Sequence, residues 1–300
     1  MQHTPVLLQE VIQELALSDG MRVIDATLDG GGHARAIIPH IMPHGHFVGV
    51  DWDANMITRT EKTLREEFSS WKTRLSFVHA NYATLADEIK KDVFPPADRL
   101  LADLGFSSMH IDDAQRGMSF LSDGPLDMRY DRSTGPTAAD IVNGANEKEL
   151  ADIFWRYGEE RYARPIAKKI VTARRKERIL TTKQLCAVLG EKRHAKIHPA
   201  TRVFQALRIA VNRELDNLEQ LLVSLPTLVR SEGIVAIISF HSLEDRMVKH
   251  AFADYEKNGV ARALKKPLVA SPQEIQENPK SRSAKLRILR FLPHVSSSHI

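Results

Sequence analysis

Residues 25–34 read DATLDGGGHA and follow the short apolar run MRVI at 21–24. Three consecutive glycines after a β-like run let the backbone approach a ligand closely and take angles that a Cβ would forbid. The stretch is therefore predicted to be the strand-to-helix loop of an α/β sheet, with a ligand site at the carboxyl end of the strands. It matches neither phosphate-cradling fingerprint. Counting from Gly30, Arg35 stands where the last glycine of G-x-G-x-x-G belongs, and the Gly-Lys-[Ser/Thr] ending of a P-loop is missing. Asp25 and Asp29 would repel a pyrophosphate but attract an ammonium or a sulfonium. A cationic, phosphate-free nucleoside fits this loop better, and a tight turn without a ligand is the competing reading.

Working outward, the runs MRVID, GHFVGVD, RLSFVHA and RLLADLG alternate with the helical patterns HARAIIPHIMP and ANMITRTEKTLREEFSSW. That alternation predicts βαβ units around a parallel sheet. After Gly105 the rhythm gives way to a Gly-, Asp-, Ser- and Pro-rich loop and then to long charged helical patterns. The expected organisation is a core of residues 1–105 and 201–300 that shares one sheet, with a mostly helical substrate-recognition insertion at 106–200. A helix over VFQALRIAVNRELDNLEQLLVSLP, a strand over GIVAIIS and a last strand at KLRILRFL complete the core.

Three hundred residues with 43% apolar content supply a substantial core. The formal net charge of +4 permits an anionic partner without demanding one. Cys186 is the single cysteine, which excludes an internal disulfide and a Cys-rich metal site and suits a reducing, cytoplasmic setting. MQHTPVLLQEVIQELAL reads as an amphipathic helix rather than a signal peptide, and the run IVAIISF is far shorter than the roughly 20 residues of a membrane span.

Asp51 ends the second strand about 20 residues beyond the glycine loop, where a carboxylate accepts hydrogen bonds from ribose hydroxyls. Asp103 ends the fourth strand in DLGF, where it could orient an ammonium, draw protons from an amine under attack, or cap the following loop. Phe106 is a candidate for stacking on a base, with burial in a core as the alternative. Ser239, His241 and Asp245 in SFHSLEDR invite a hydrolase reading, but no G-x-S-x-G elbow is present, and a helix N-cap at Ser242 with Asp245 at the third helical position explains the string as well. His40, His44 and His46 lack a carboxylate or cysteine to complete a metal set and read as surface residues, so no metal is expected. RYARPIAKKIVTARRKERI, ARALKKP and NPKSRSAKLRILR are dense in Lys and Arg, either as solvated helix faces or as a footprint for RNA phosphates, with Arg174, Arg175 and Lys176 the densest run.

From HTPVLL at 3–8 to SAKLR at 283–287 the chain closely resembles the bacterial 16S rRNA (cytosine-N4)-methyltransferase family, RsmH or MraW. DATLDGGGHA, DLGFSSMHIDD, RGMSFLSDGPLDMRYD, HPATRVFQALRIAVNRELDNLE and ISFHSLEDRMVKHAF carry the resemblance. It implies a class I (Rossmann-like) S-adenosylmethionine-dependent methyltransferase fold with a helical insertion. It also implies methylation at N4 of a cytidine in the decoding centre of 16S rRNA, within the small ribosomal subunit. Carried over by position, the family's cofactor contacts fall on Gly31, Gly32, His33, Asp51, Tyr82, Asp103 and His110. Asp29 stands where the family often has glycine, Phe106 where valine is usual, and Met109-His110 where Pro-Gln is common. Monomer and homodimer are both left open. Two rivals are carried: a nicotinamide-dependent oxidoreductase, and a non-catalytic RNA-binding protein on the same scaffold.

Overall fold

The computed structural model describes residues 5–91, 94–105, 110–111, 113–190 and 198–293. In chain order, α1 (Leu8–Leu15), β1 (Arg22–Asp25), α2 (Gly32–Ile41), β2 (His46–Asp51), α3 (Ala54–Glu67), β3 (Leu75–His79), α4 (Leu85–Lys90) and β4 (Ala97–Asp103) form the first half of the sheet domain. The insertion carries α5 (Ala138–Gly144), α6 (Glu147–Gly158), α7 (Ala163–Arg174), α8 (Thr182–Leu189) and α9 (Pro199–Asn212). Then follow α10 (Glu214–Leu228), β5 (Val229–Ser239), α11 (Ser242–Lys257), β6 (Ala261–Ala263), β7 (Leu268–Val269), α12 (Pro272–Glu277) and β8 (Lys285–Phe291).

The strands form one sheet in the order β3-β2-β1-β4-β5-β8-β6, with β7 also on β8. The pairs among β3, β2, β1, β4 and β5 are parallel, and β8 runs antiparallel to β5. Pairing of β4 with β5 joins the two halves of the chain in one sheet, as the sequence pattern predicts. Side chains alternate across it. Val23, Leu101, Ala236 and Ile238 enter one buried cluster with α1 and α2, whereas Ile24, Leu100, Ala102, Val235 and Ile237 enter the other with α10 and α11. A sheet buried on both faces reads as the near-continuous apolar runs seen here.

The chain forms two compact units, residues 1–105 with 216–300, and residues 106–215. The second boundary thus falls at 215 rather than at 200. The reason lies in α9, whose Val203, Phe204, Ala206, Leu207 and Val211 are buried with residues of α5 to α8 in the insertion's own core. Its contact with α6 is close enough that a Cβ on Gly158 would stand 2.6 Å from the Arg202 carbonyl. The single helix expected over 203–226 is also two helices, because Arg213 takes a left-handed conformation at φ 50° and ends α9. His46 is likewise not a surface residue. It is half-buried, with Nε2 2.9 Å from the Ser76 hydroxyl. Among the described residues no helix is long and apolar enough to cross a membrane.

Candidate active site

Strand order reverses between β1 and β4, and the crevice outside the carboxyl ends of such strands is where α/β sheets bind ligands. The loop 25–34 opens there. The Ala26 N–H donates to the Leu101 carbonyl at 2.8 Å and the Leu28 N–H to the Val50 carbonyl at 2.8 Å, pinning the loop to β4 and β2. Asp25 Oδ1 accepts from the Thr27 N–H at 3.2 Å, and the Thr27 hydroxyl oxygen accepts from the Asp103 N–H at 2.6 Å. Gly31, at φ 73°, caps α2, and a Cβ there would stand 2.8 Å from Thr60 Cγ2. Gly32 opens α2 against Pro5, whose Cγ a Cβ would meet at 2.7 Å. Both positions are closed to larger residues by their neighbours, and Gly31 also by its backbone angle.

Five carboxylates converge on this loop. Asp51 is buried and accepts twice, from the Asp29 N–H at 2.8 Å on Oδ2 and from the Asp53 N–H at 2.8 Å on Oδ1. Asp53 caps α3 by accepting from the Asn55 and Met56 amides. Asp29 sits at φ 46°, a conformation Asp tolerates better than most residues. Its carbonyl accepts from the Thr60 hydroxyl at 2.7 Å. Burial first, and then the charges of Asp51, Asp103, Asp25 and Asp53, push the Asp29 carboxyl well above the usual range. Burial, followed by Asp25 and Glu244, does the same to Asp103.

Asp103 holds the least satisfied oxygen of the group. Its Oδ1 is buried with no hydrogen-bond partner among the described residues, and its Oδ2 lies 3.7 Å from His33 Nδ1. His33 is itself buried, with Nε2 3.1 Å from the Val6 carbonyl. Because a carbonyl only accepts, Nε2 is the nitrogen that carries hydrogen there. A buried carboxylate oxygen left open among like charges is poised to receive a cation or a hydrogen-bond donor.

Asp25 gives this crowding a measurable consequence. It is 1% exposed, and burial, opposed by its bond to the Thr27 amide and reinforced by Asp51, raises its pKa to about 7. The unfolded chain releases that proton near pH 3.8 and the folded chain keeps it until about 7, so this group lowers stability as pH rises between the two values. Asp25→Asn keeps the amide acceptor without the charge. Its melting temperature should exceed that of the native protein at pH 8, and the advantage should vanish by pH 4. Scanning calorimetry across that range checks this, and a difference independent of pH would contradict it.

Of the remaining sequence-predicted contacts, Tyr82 opens a 3-10 turn after β3 and packs, half-buried, against the cluster that holds Ile24 and Val50. His110 is buried in the insertion, its ring 5.5 Å from that of Tyr130. Phe106 and Met109 lie outside the described residues. The SFHSLEDR segment is no catalytic relay. Ser239 is buried with its hydroxyl 3.5 Å from the Lys285 carbonyl, and Asp245 is held by Lys285 Nζ at 2.7 Å and Arg287 Nε at 2.6 Å. The helix cap is His241 with Glu244 at the third position, one residue earlier than expected, because the Glu244 carboxylate accepts from the Phe240 and His241 amides.

Sequence reasoning missed a network in the insertion. Asn212 Nδ2 donates to the Met128 carbonyl at 2.7 Å, and its Oδ1 accepts from the Tyr130 N–H at 2.8 Å. The Tyr130 hydroxyl and Arg208 both donate to buried Glu214. These bonds clamp RGMSFLSDGPLDMRYD onto α9, and a run of polar residues across two distant motifs was their only sequence signal. Arg174, taken with Arg175 as a candidate phosphate contact, donates to the Val142 carbonyl at 2.6 Å and is half-buried, whereas Arg175 and Lys176 are exposed.

Comparison with known proteins agrees with this arrangement. The model of the MraW methylase family matches residues 1–292. A ribosomal RNA small subunit methyltransferase H from Cyanothece sp. is 45% identical over 293 residues, covering 97% of this chain and 95% of that protein. One of the same name from Magnetococcus marinus is 42% identical over 313 residues, covering 97% and 99%. With a sheet whose order reverses beside an acidic glycine loop, and a family match over residues 1–292, this chain belongs to the MraW methylase family.

Proposed function

We propose that the protein is an S-adenosylmethionine-dependent methyltransferase that modifies N4 of a cytidine in the decoding centre of 16S rRNA, acting in the cytoplasm on the small ribosomal subunit. The observation that carries the cofactor class is the set of buried acids at the sheet's switch point, with Asp103 Oδ1 left open. Such a site suits an ammonium and a sulfonium and disfavours a pyrophosphate. The residues therefore fit S-adenosylmethionine, which supplies an electrophilic methyl group when bound.

Gly31 and Gly32 bring backbone to the ligand, Asp51 accepts from the ribose hydroxyls, and Asp103 receives the ammonium. His33, whose Nδ1 lies 3.7 Å from Asp103 Oδ2, joins Tyr82 and His110 in completing the contact set. The cytosine leaves its stack to present N4, whose lone pair is delocalised into the ring until an acceptor draws a proton away. Asp103, whose Oδ2 stays beside His33 when Oδ1 takes the ammonium, is our candidate acceptor for that proton. Cys186 lies on α8 of the insertion with its thiol pKa pushed up by burial, and attack by an exocyclic amine needs no cysteine nucleophile.

Thermal-shift titration separates the cofactor classes. A ligand that binds only the folded state raises the melting temperature in proportion to the logarithm of its concentration. S-adenosylmethionine should do so and NAD should not. A shift with NAD alone would favour the oxidoreductase.

A further inference from the structure

A second concavity belongs wholly to the inserted unit. It is a groove of about 770 Å³ between α7, α8 and the turn that joins them. Its rim carries Lys168, Lys169, Lys176 and Arg178, and its floor is the apolar surface of Ala173, Ile179 and Val188. Glu177 is the one acid in the lining, and the Gln184 amide approaches it at 3.5 Å.

We infer that this groove docks the sugar–phosphate backbone of the RNA substrate, with Lys168, Lys169 and Lys176 neutralising its phosphates. The inference rests on the RNA methyltransferase reading above. An ordinary solvated helix face balances its charges with acids one turn away, as Lys90 does with Asp87, Lys91 with Glu88 and Arg65 with Glu61 in the sheet domain. The face of α7 does not. α7 carries Arg164, Lys168, Lys169 and Arg174 and no acid, and no acid lies within four residues of Lys168 or Lys169 on either side. Lys168, Lys169 and Lys176 are exposed and form no ion pair among the described residues.

Unpaired like charges held together repel one another and gain most when a polyanion replaces their counterions. The apolar floor has no carboxylate to hold a metal ion, but it suits the face of a sugar or base. Tyr162, the residue that precedes α7, is 71% exposed, an uncovered ring of the kind on which single-stranded bases stack. Rim cations, an apolar floor and an exposed aromatic ring at the start of α7 together fit nucleic acid better than an acidic peptide, which would need donors for carboxylates but no stacking surface.

The test is the triple variant Lys168→Gln, Lys169→Gln, Lys176→Gln in the full chain. Its binding to an unmodified decoding-centre fragment of 16S rRNA would be followed by fluorescence anisotropy over a range of salt. Each lost phosphate contact flattens the log–log salt slope by about 0.7 to 0.9, so the slope should fall by about 2, with affinity at low salt reduced about 10- to 100-fold. Calorimetric binding of S-adenosylmethionine should be unchanged, and the Lys→Arg triple variant should restore RNA binding. Native affinity and slope in the Gln variant would overturn the proposal, as would tighter binding of polyglutamate than of RNA by the native protein. If the native protein neither binds RNA nor methylates small subunits, the function itself fails and the groove assignment falls with it, a result distinct from the first.

Discussion

Asp103→Asn should weaken S-adenosylmethionine about 10- to 100-fold in a protein at least as stable to heat as the native one. The two effects have one origin. In the free protein the carboxylate is buried beside Asp25 and Glu244 with no partner for Oδ1 among the described residues, an arrangement that costs stability. Asparagine has nearly the same shape and removes the repulsion. The same carboxylate is the group we assign to the cofactor's ammonium, and a hydrogen bond to a charged group is worth about 1.5–3 kcal/mol, one to two decades in affinity. At saturating cofactor the single-turnover rate reads the second role. A rate that falls further marks Asp103 as the acceptor of the amine proton, and the pH dependence of that step should shift with it. Unchanged affinity and rate in a folded variant would remove Asp103 from the site.

Asp51→Ala should lower both cofactor affinity and stability, each for a separate reason. The native carboxylate holds the amides of Asp29 and Asp53 at 2.8 Å each, so truncation takes the acceptor from both donors. The cost is on the order of 1–3 kcal/mol, with the turn at Asp29 loosened. To isolate the ribose contact, calorimetry should compare the cofactor with an analogue lacking the ribose hydroxyls on both proteins. The native protein should prefer the hydroxylated ligand about 10-fold or more, and the variant should lose that preference. Equal preference in both would show that Asp51 shapes the loop without touching the ribose.

Much of this site was legible in the sequence because strand ends are legible. Alternating apolar runs located β1, β2 and β4, and a carboxylate at the end of each had to fall on one edge of a parallel sheet. The meaning of Asp29 was not legible. A second acid beside three glycines reads equally as a ligand contact or a turn residue. Its left-handed φ, with its amide on Asp51 and its carbonyl bound by Thr60, assigns it a turn-shaping place that glycine would also fill. The break at Arg213 was hidden for another reason. An unbroken helical periodicity runs through 203–226, and neither the left-handed Arg213 nor the bond from distant Tyr130 to Glu214 leaves a mark on it. The same long-range bonding fixed the insertion's boundary 15 residues beyond the expected one (215 − 200). The open oxygen of Asp103 depends on burial by several elements at once, which no local pattern encodes.

The most direct measurement of the central claim is methyl transfer to small ribosomal subunits lacking the modification, with S-adenosylmethionine as donor and mass spectrometry of nuclease-digested 16S rRNA as readout. The expected product is N4-methylcytidine at a single decoding-centre position, approaching one per subunit. Transfer to a ribose oxygen or a ring carbon, or no transfer to unmodified subunits by a protein that binds the cofactor, would contradict it.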